Sequence, residues 1–263
     1  MKIDTNRKVA LVTGASRGIG KAIAIELGKN NIDVVVNYVK SRDEAECVVN
    51  ELKQLGCNAT LVQADLGSVD DVTRLSEEAW NAFGKIDYLI NNAGVSITKH
   101  ILDVTLDDFE WLNSVNYRGT FLISQLIARK MVENNVEGSI YTITSINGIL
   151  PGVGKNVYGA SKGAVETLMK GMALDLSPHH ININTLAIGA IDTDMTAAVI
   201  KDQEFLKRVE AGIPLNRLGK PEEVARVVVA LLTTGTYMTG STITIDGGWL
   251  IKNGHAIPYK YNL

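Results

Sequence analysis

The sequence predicts an α/β fold, a doubly wound parallel sheet of about seven strands with helices on both faces. Three observations predict it. Short β-branched runs recur along the chain, stretches of helical spacing separate them, and a glycine-rich turn joins the first run to the first helix.

The runs, in order, are KVALV (8–12), DVVVNY (33–38), ATLVQAD (59–65), IDYLINN (86–92), GSIYTIT (138–144), ININTLA (181–187) and STITID (241–246). Between them, Ile19, Ile23 and Leu27, and again Val48, Leu52 and Leu55, recur at helical spacing. Strands that alternate with helices form a parallel sheet covered on both faces. No linker-like Pro/Ser/Gly tract, low-complexity block or repeat interrupts the pattern, so residues 1–263 are read as a single domain. The stretch 188–220 departs from the rhythm, separating the sixth run from a helix expected near Pro221. Long excursions at the carboxyl ends of parallel strands carry binding loops, so 188–220 is expected to be a substrate loop or lid.

A chain of 263 residues with 46% hydrophobic content can bury a substantial core. The net charge of -3 and pI near 5.9, with Lys and Arg scattered, leave no footprint for nucleic acid or an anionic membrane. A small-molecule substrate is the expectation. The N-terminus MKIDTNRKVALV lacks a signal-peptide pattern, and no window reaches about 18 uninterrupted apolar residues, so the expected location is cytoplasmic. Cys47 and Cys57 lack a CxxC partner and read as packing or surface thiols. His100, His179, His180 and His255 show no metal-ligand spacing, and no metal is expected.

The turn TGASRGIG (13–20) sits between strand and helix. Gly14, Gly18 and Gly20 let the backbone turn tightly and approach a pyrophosphate, whose charge then faces the positive end of the following helix. Their spacing, Gly-x-x-x-Gly-x-Gly, differs from the general dinucleotide fingerprint Gly-x-Gly-x-x-Gly. An NAD site tends to end its second strand in Asp or Glu. Here the strand ends Val36-Asn37-Tyr38, followed by Lys40, Ser41 and Arg42, and Arg17 in the turn can pair with a 2′-phosphate. NADP is therefore favoured, with NAD as the alternative.

A second group is Tyr158-Gly159-Ala160-Ser161-Lys162, opening an amphipathic helical segment. A spacing of four puts Tyr158 and Lys162 on one helical face. A neighbouring ammonium favours phenolate, which lets a tyrosine move a proton to or from an alcohol oxygen at neutral pH. Ser145, at the carboxyl end of the fifth run, places a hydroxyl where it could bond a substrate oxygen.

With TGASRGIG, ADL (64–66), NNAG (91–94), VN (115–116), Ser145, Tyr158 with Lys162, and DGG (246–248) in this order, nearly the whole chain resembles the short-chain dehydrogenase/reductase family. The resemblance implies a Rossmann-type dinucleotide-binding and catalytic domain that interconverts an alcohol and a carbonyl. It implies Tyr158 as general acid–base, Lys162 as the group that lowers its pKa and holds the nicotinamide ribose, and Ser145 as the orienter of the carbonyl. Asn116 would hold a water linking Lys162 to solvent. It further suggests Asp65 at the adenine, Asn92 and Gly94 along the cofactor, and Thr193 near the nicotinamide. The cofactor-binding set is then Gly14, Ser16, Arg17, Gly18, Ile19 and Gly20, Asn37, Asp65 and Leu66, Asn92, Ala93 and Gly94, Tyr158 and Lys162, and Gly189, Ile191 and Thr193. The family commonly has Pro-Gly after the sixth strand, where this chain reads Ala187-Ile188-Gly189-Ala190, which loosens the carry-over of Ile191 and Thr193.

VENNVEG (132–138) and the extension 249–263 resemble glucose 1-dehydrogenases, which leans the substrate toward a sugar or polyol. A 3-oxoacyl-(acyl carrier protein) reductase is the alternative. Arg129 and Lys130 could supply part of a basic surface beside the site for an acidic carrier, although MALDLSPH lacks the basic residue that such reductases tend to use. A non-catalytic dinucleotide-binding regulator is a remote alternative, opposed by the presence of Ser145, Tyr158 and Lys162. Asp192 and Asp194 read as caps of a short helix after Met195. Met169, Met172 and Leu176 read as core or subunit interface. The resemblance implies a homotetramer packed through a long helix at about 106–134 and the helix that carries Tyr158. The tail, with Trp249, Tyr259 and Tyr261, either closes over a neighbour's site or lies on the surface.

Overall fold

The computed structural model describes residues 7–252; Tyr259, Tyr261 and His255 lie outside the described residues. Strands β1 (Val9–Val12), β2 (Asp33–Tyr38), β3 (Ala59–Gln63), β4 (Tyr88–Asn91), β5 (Ser139–Ser145), β6 (Asn182–Ile188) and β7 (Thr242–Ile245) form one sheet in the order 3-2-1-4-5-6-7. Every pairing is parallel. Each of the seven runs read from the sequence is a strand, displaced by no more than two residues at either end.

The helices are α1 (Gly18–Lys29), α2 (Arg42–Gln54), α3 (Val69–Phe83), α4 (Leu106–Asn113), α5 (Thr120–Glu133), α6 (Asn156–Leu176), α7 (Ala197–Lys201), α8 (Gln203–Gly212) and α9 (Pro221–Thr234). Alternation along the strands divides the core in two. Ala10, Val12, Val34, Val36 and Ile90 pack with Ile23, Leu27, Val48 and Val228 on one face. Leu11, Val35 and Leu89 pack with Leu75, Ile123, Ile127 and Met169 on the other. Strands buried on both faces need apolar residues at successive positions, which is why they appear as unbroken β-branched runs.

The sheet reverses its winding between β1 and β4, and a crevice opens beyond their carboxyl ends, where open α/β sheets bind ligands. The long helix expected at about 106–134 is interrupted. A π-helical segment, Ser114–Gly119, joins α4 to α5. At its end a Cβ on Gly119 would lie 2.3 Å from the Leu66 carbonyl oxygen, so only glycine lets this helix lie against the chain after β3. The extra residue of a π turn re-aims neighbouring side chains, and Asn116 lies within it.

The stretch 188–220 holds two short helices, α7 and α8, where the sequence reading placed one short helix after Met195. The break falls at Asp202, whose carboxylate accepts from the N–H groups of Glu204 and Phe205 and so starts α8. Neither Asp192 nor Asp194 caps a helix. Thr193 precedes the 3-10 turn Asp194–Thr196, with its N–H donating to Thr196 Oγ1 at 3.0 Å. Cys57 is buried and Cys47 exposed, both as free thiols. Among the described residues no helix is long and apolar enough to cross a membrane.

Candidate active site

The glycine turn after β1 is held from two sides. Asn37, wholly buried at the end of β2, accepts the Gly14 N–H at 3.0 Å and donates to the Ala64 carbonyl at 3.1 Å. Just past β4, Asn92 donates to the carbonyls of Thr13 (3.0 Å) and Gly14 (3.1 Å). Buried Thr13 accepts the N–H groups of Asn92 and Ala93, both at 3.0 Å. Gly14 (φ +62°) and Gly18 (φ +55°) occupy the left-handed region, and a Cβ on Gly20 would lie 2.3 Å from the Gly14 carbonyl oxygen.

These contacts show where the side chains of the expected cofactor set lie. Asn37 braces the turn, with its amide fully engaged inside the protein. Leu66 and Ile191 are buried in the two cores, the latter across Gly219, and so present no side chain to a ligand. A Cβ on Gly189 would lie 2.7 Å from Asp246 Cα, so Gly189 is a packing position against the DGG turn. Ala93 packs against the core as well. Ser16, Arg17, Gly18 and Ile19 remain at the open end of α1.

That end fits a pyrophosphate. The first turn of α1 has no side-chain cap and no acidic residue, so its leading N–H groups face the crevice unopposed by negative charge. Exposed Arg17 lies 3.4 Å from exposed Asp194 in the 188–220 stretch, a pair too solvated to hold the guanidinium firmly. Thr193 stands over Gly18, with Cγ2 at 3.6 Å from where a Cβ would be. Asp65 is exposed, and its carboxylate accepts from the Gly67 N–H.

At the end of β5, Ser145 Oγ accepts from the N–H (3.2 Å) and side-chain amide (3.3 Å) of Asn147. With two donors on its oxygen, the Ser145 proton is left to donate outward, toward Tyr158 or a substrate oxygen. Helix α6 carries Tyr158 and, one turn on, Lys162. Burial raises the Tyr158 pKa, while a hydrogen bond with Ser145 opposes the rise. Lys162 is buried 6.0 Å from the Tyr158 ring centre, its Nζ donates to the Ile143 carbonyl at 3.0 Å, and burial pushes its own pKa down to about 8 against a weaker pull from Glu166. Asn116, expected to hold a water between Lys162 and solvent, makes its own bonds to the protein. Its amide pairs in both directions with the main chain of Val95 (2.8 and 2.9 Å) and donates to Ser161 Oγ. Gly94 separates the two, since a Cβ there would lie 3.3 Å from both Asn116 Oδ1 and Lys162 Nζ.

Ser145, Tyr158, Lys162, Asn116, Gly94 and the glycine turn thus share the carboxyl edge of the sheet. Arg129 and Lys130 do not. They end α5 where the chain turns back into the start of β5, at the opposite edge, and Lys130 pairs with Glu77. They cannot form a docking surface beside the site. Sequence reading missed Thr13, Asn147 and Lys155. Thr13 opens the glycine turn in the sequence, and only its place between β1 and β4 shows its hydroxyl joining them.

Comparison with known proteins agrees with this geometry. A family model described as enoyl-(acyl carrier protein) reductase matches residues 14–250. The chain is 41% identical over 254 residues to a tetrahydroxynaphthalene reductase of Pyricularia oryzae, covering 92% of this chain and 89% of that protein. It is also 41% identical over 253 residues to versicolorin reductase 1 of Aspergillus parasiticus, covering 92% and 95%. Among solved structures, an acetoin dehydrogenase from Enterobacter cloacae superposes with TM-score 0.87 at 34% identity, over 95% of this chain and 98% of that one. A short chain dehydrogenase from Burkholderia cenocepacia in complex with NADP superposes with TM-score 0.85 at 34% identity, over 95% and 100%.

Lys162 supplies a stability test. Below about pH 8 the folded protein holds a proton on a buried amine whose unfolded counterpart titrates near 10.5. Folding is penalised there, by on the order of a few kcal/mol, and the penalty fades as pH rises between those two values. Lys162→Met is therefore expected to be more stable than the parent chain at pH 7, with the advantage shrinking above pH 8. Urea denaturation across this range checks it, and a pH-independent difference would overturn it.

Proposed function

The chain belongs to the short-chain dehydrogenase/reductase family as an NAD(P)-dependent reductase, and on that premise we propose that it uses NADPH to reduce a ketone on a hydroxylated cyclic, aromatic-type substrate. The observation that carries the chemistry is the convergence of the Ser145 hydroxyl, the Tyr158 phenol and the Lys162 ammonium beside a glycine turn open to a pyrophosphate. When bound, the dinucleotide supplies the hydride. Ser145, its oxygen saturated by Asn147, donates to the substrate carbonyl and orients it. Tyr158 gives its proton to the developing alkoxide, a transfer for which a phenol held protonated by burial is suited in the reductive direction. Lys162 holds the ribose and offsets the phenolate charge as it forms.

The ring-bearing substrate is supported by relatives named for tetrahydroxynaphthalene and versicolorin at 38–41% identity, and by the exposed apolar side chains Met195, Phe205 and Leu215 on the lid. The lean toward a sugar gives way to this reading. NADP preference is supported by Arg17 and by the lack of an acidic side chain at the end of β2, where Asn37 and Tyr38 are both buried. A second copy of the chain is the proposed occupant of the exposed face carrying Leu106, Phe109, Trp111 and Phe121, in a homotetramer.

Three measurements test these readings. With NADPH and a panel of bicyclic hydroxyketones, aldoses and a 3-oxoacyl thioester, turnover is expected for the bicyclic ketones and lost at least about 10²-fold in Tyr158→Phe with dinucleotide binding retained; unchanged turnover in that variant removes Tyr158 from its role. Arg17→Ala is expected to weaken NADP binding about tenfold while sparing NAD, and equal losses would show that Arg17 does not read the 2′-phosphate. Light scattering is expected to give the mass of four chains, and a monomer mass would leave the apolar face unexplained by self-association.

A further inference from the structure

Three residues before Tyr158, Lys155 begins the approach to α6. Its Nζ donates to Ser96 Oγ at 2.9 Å and to the Ile97 carbonyl at 3.4 Å, and lies 5.5 Å from the Tyr158 ring centre. These partners are neutral. Lys99, in the same loop after β4, has a carboxylate partner in Asp108 at 2.6 Å, whereas among the described residues Lys155 pairs with no carboxylate. The ammonium is half-buried, and burial pushes its pKa below the usual lysine value. A partly desolvated cation without an anion is an unfavourable arrangement on its own, and it persists where a ligand completes it.

The surroundings place that ligand. The 152–156 segment is tied to the 95–99 loop by the Lys99 N–H on the Gly154 carbonyl and by the Asn156 amide on the Lys99 carbonyl. Lys155 therefore sits where two loops meet at the carboxyl edge, beside the phenol that transfers the proton. Lys162 lies 6.0 Å from the same ring, so two ammonium groups border Tyr158.

We propose that Lys155 is a specificity-determining residue that binds an anionic oxygen, a phenolate, on the part of the substrate that does not react. This rests on the ketone-reductase reading above and narrows its substrate class to ring ketones bearing an ionisable hydroxyl. The ammonium, held by Ser96 and Ile97, keeps a donor for that oxygen. A phenolate bound there regains for Lys155 the charge partner that the protein itself does not supply, and it fixes the ring relative to Tyr158 and Ser145.

The test is equilibrium binding to the cofactor-saturated protein of a bicyclic phenol that is ionised at the assay pH, compared with its methyl ether. The parent chain, Lys155→Met and Lys155→Arg are measured side by side. The parent is expected to prefer the phenolate about tenfold or more, as a charge-assisted hydrogen bond allows. Lys155→Met should abolish that preference while keeping ether affinity within about twofold, and Lys155→Arg should retain most of it. No preference in the parent, no binding of either compound, or equal loss of phenolate and ether in Lys155→Met overturns the proposal; the last outcome would leave Lys155 as a tie between loops. Turnover of the corresponding phenolic ketone is read separately. Its absence in a parent chain that still prefers phenolate would count against the ketone-reductase reading and not against the role of Lys155.

Discussion

The hydroxyl of Thr13 joins the two halves of the sheet's open edge, and the geometry of the site follows from it. Buried at the carboxyl end of β1, it accepts from two successive N–H groups of the chain leaving β4, while its own N–H donates to Ile90. Parallel strands that wind away from each other leave a gap at their ends, and backbone groups in that gap have no ladder partner. Thr13, Asn37 and Asn92 satisfy them. Their bonds hold the glycine turn rigid, and its exposed N–H groups then point into the crevice rather than at other parts of the protein.

The same edge gathers positive charge at a cost to folding. Lys162 and Lys155 are both drawn from water, and neither rests on a carboxylate at hydrogen-bonding distance. Glu166, one turn beyond Lys162, is itself buried and bonded to Thr144, so it moderates the field without neutralising it. Sites that bind anions and stabilise a phenolate accept such strain because the energy is recovered when ligand enters. Burial that keeps Tyr158 protonated and burial that weakens Lys162 have one physical origin, the low polarity of the wall beneath α6. Burial therefore favours the protonated phenol at Tyr158.

Most of the architecture was legible because the parallel sheet writes itself into sequence. Double-sided burial demands β-branched runs, and all seven runs are strands. The glycine turn was legible for the same kind of reason, since positive φ at Gly14 and Gly18 and the crowding at Gly20 admit little else. Ser145, Tyr158 and Lys162 were recognisable through motif order. What the sequence did not show is which way a side chain points: Asn37, Leu66 and Ile191, placed along a cofactor by the resemblance, direct their side chains into the turn or the core. Arg129 and Lys130 lie at the wrong edge, which only the direction of α5 reveals.

By itself the sequence determined the strands, the glycine turn and the pairing of Tyr158 with Lys162 on one helical face, because each depends on local backbone limits or on residues fixed within one turn of helix. Tertiary structure alone decided what faces what. The π-helical turn that aims Asn116 at Val95, the hydroxyl of Thr13 between two strands and the ammonium of Lys155 on Ser96 all rest on contacts between segments far apart in the chain. Burial and charge pairing are properties of those contacts, and no spacing along the chain encodes them.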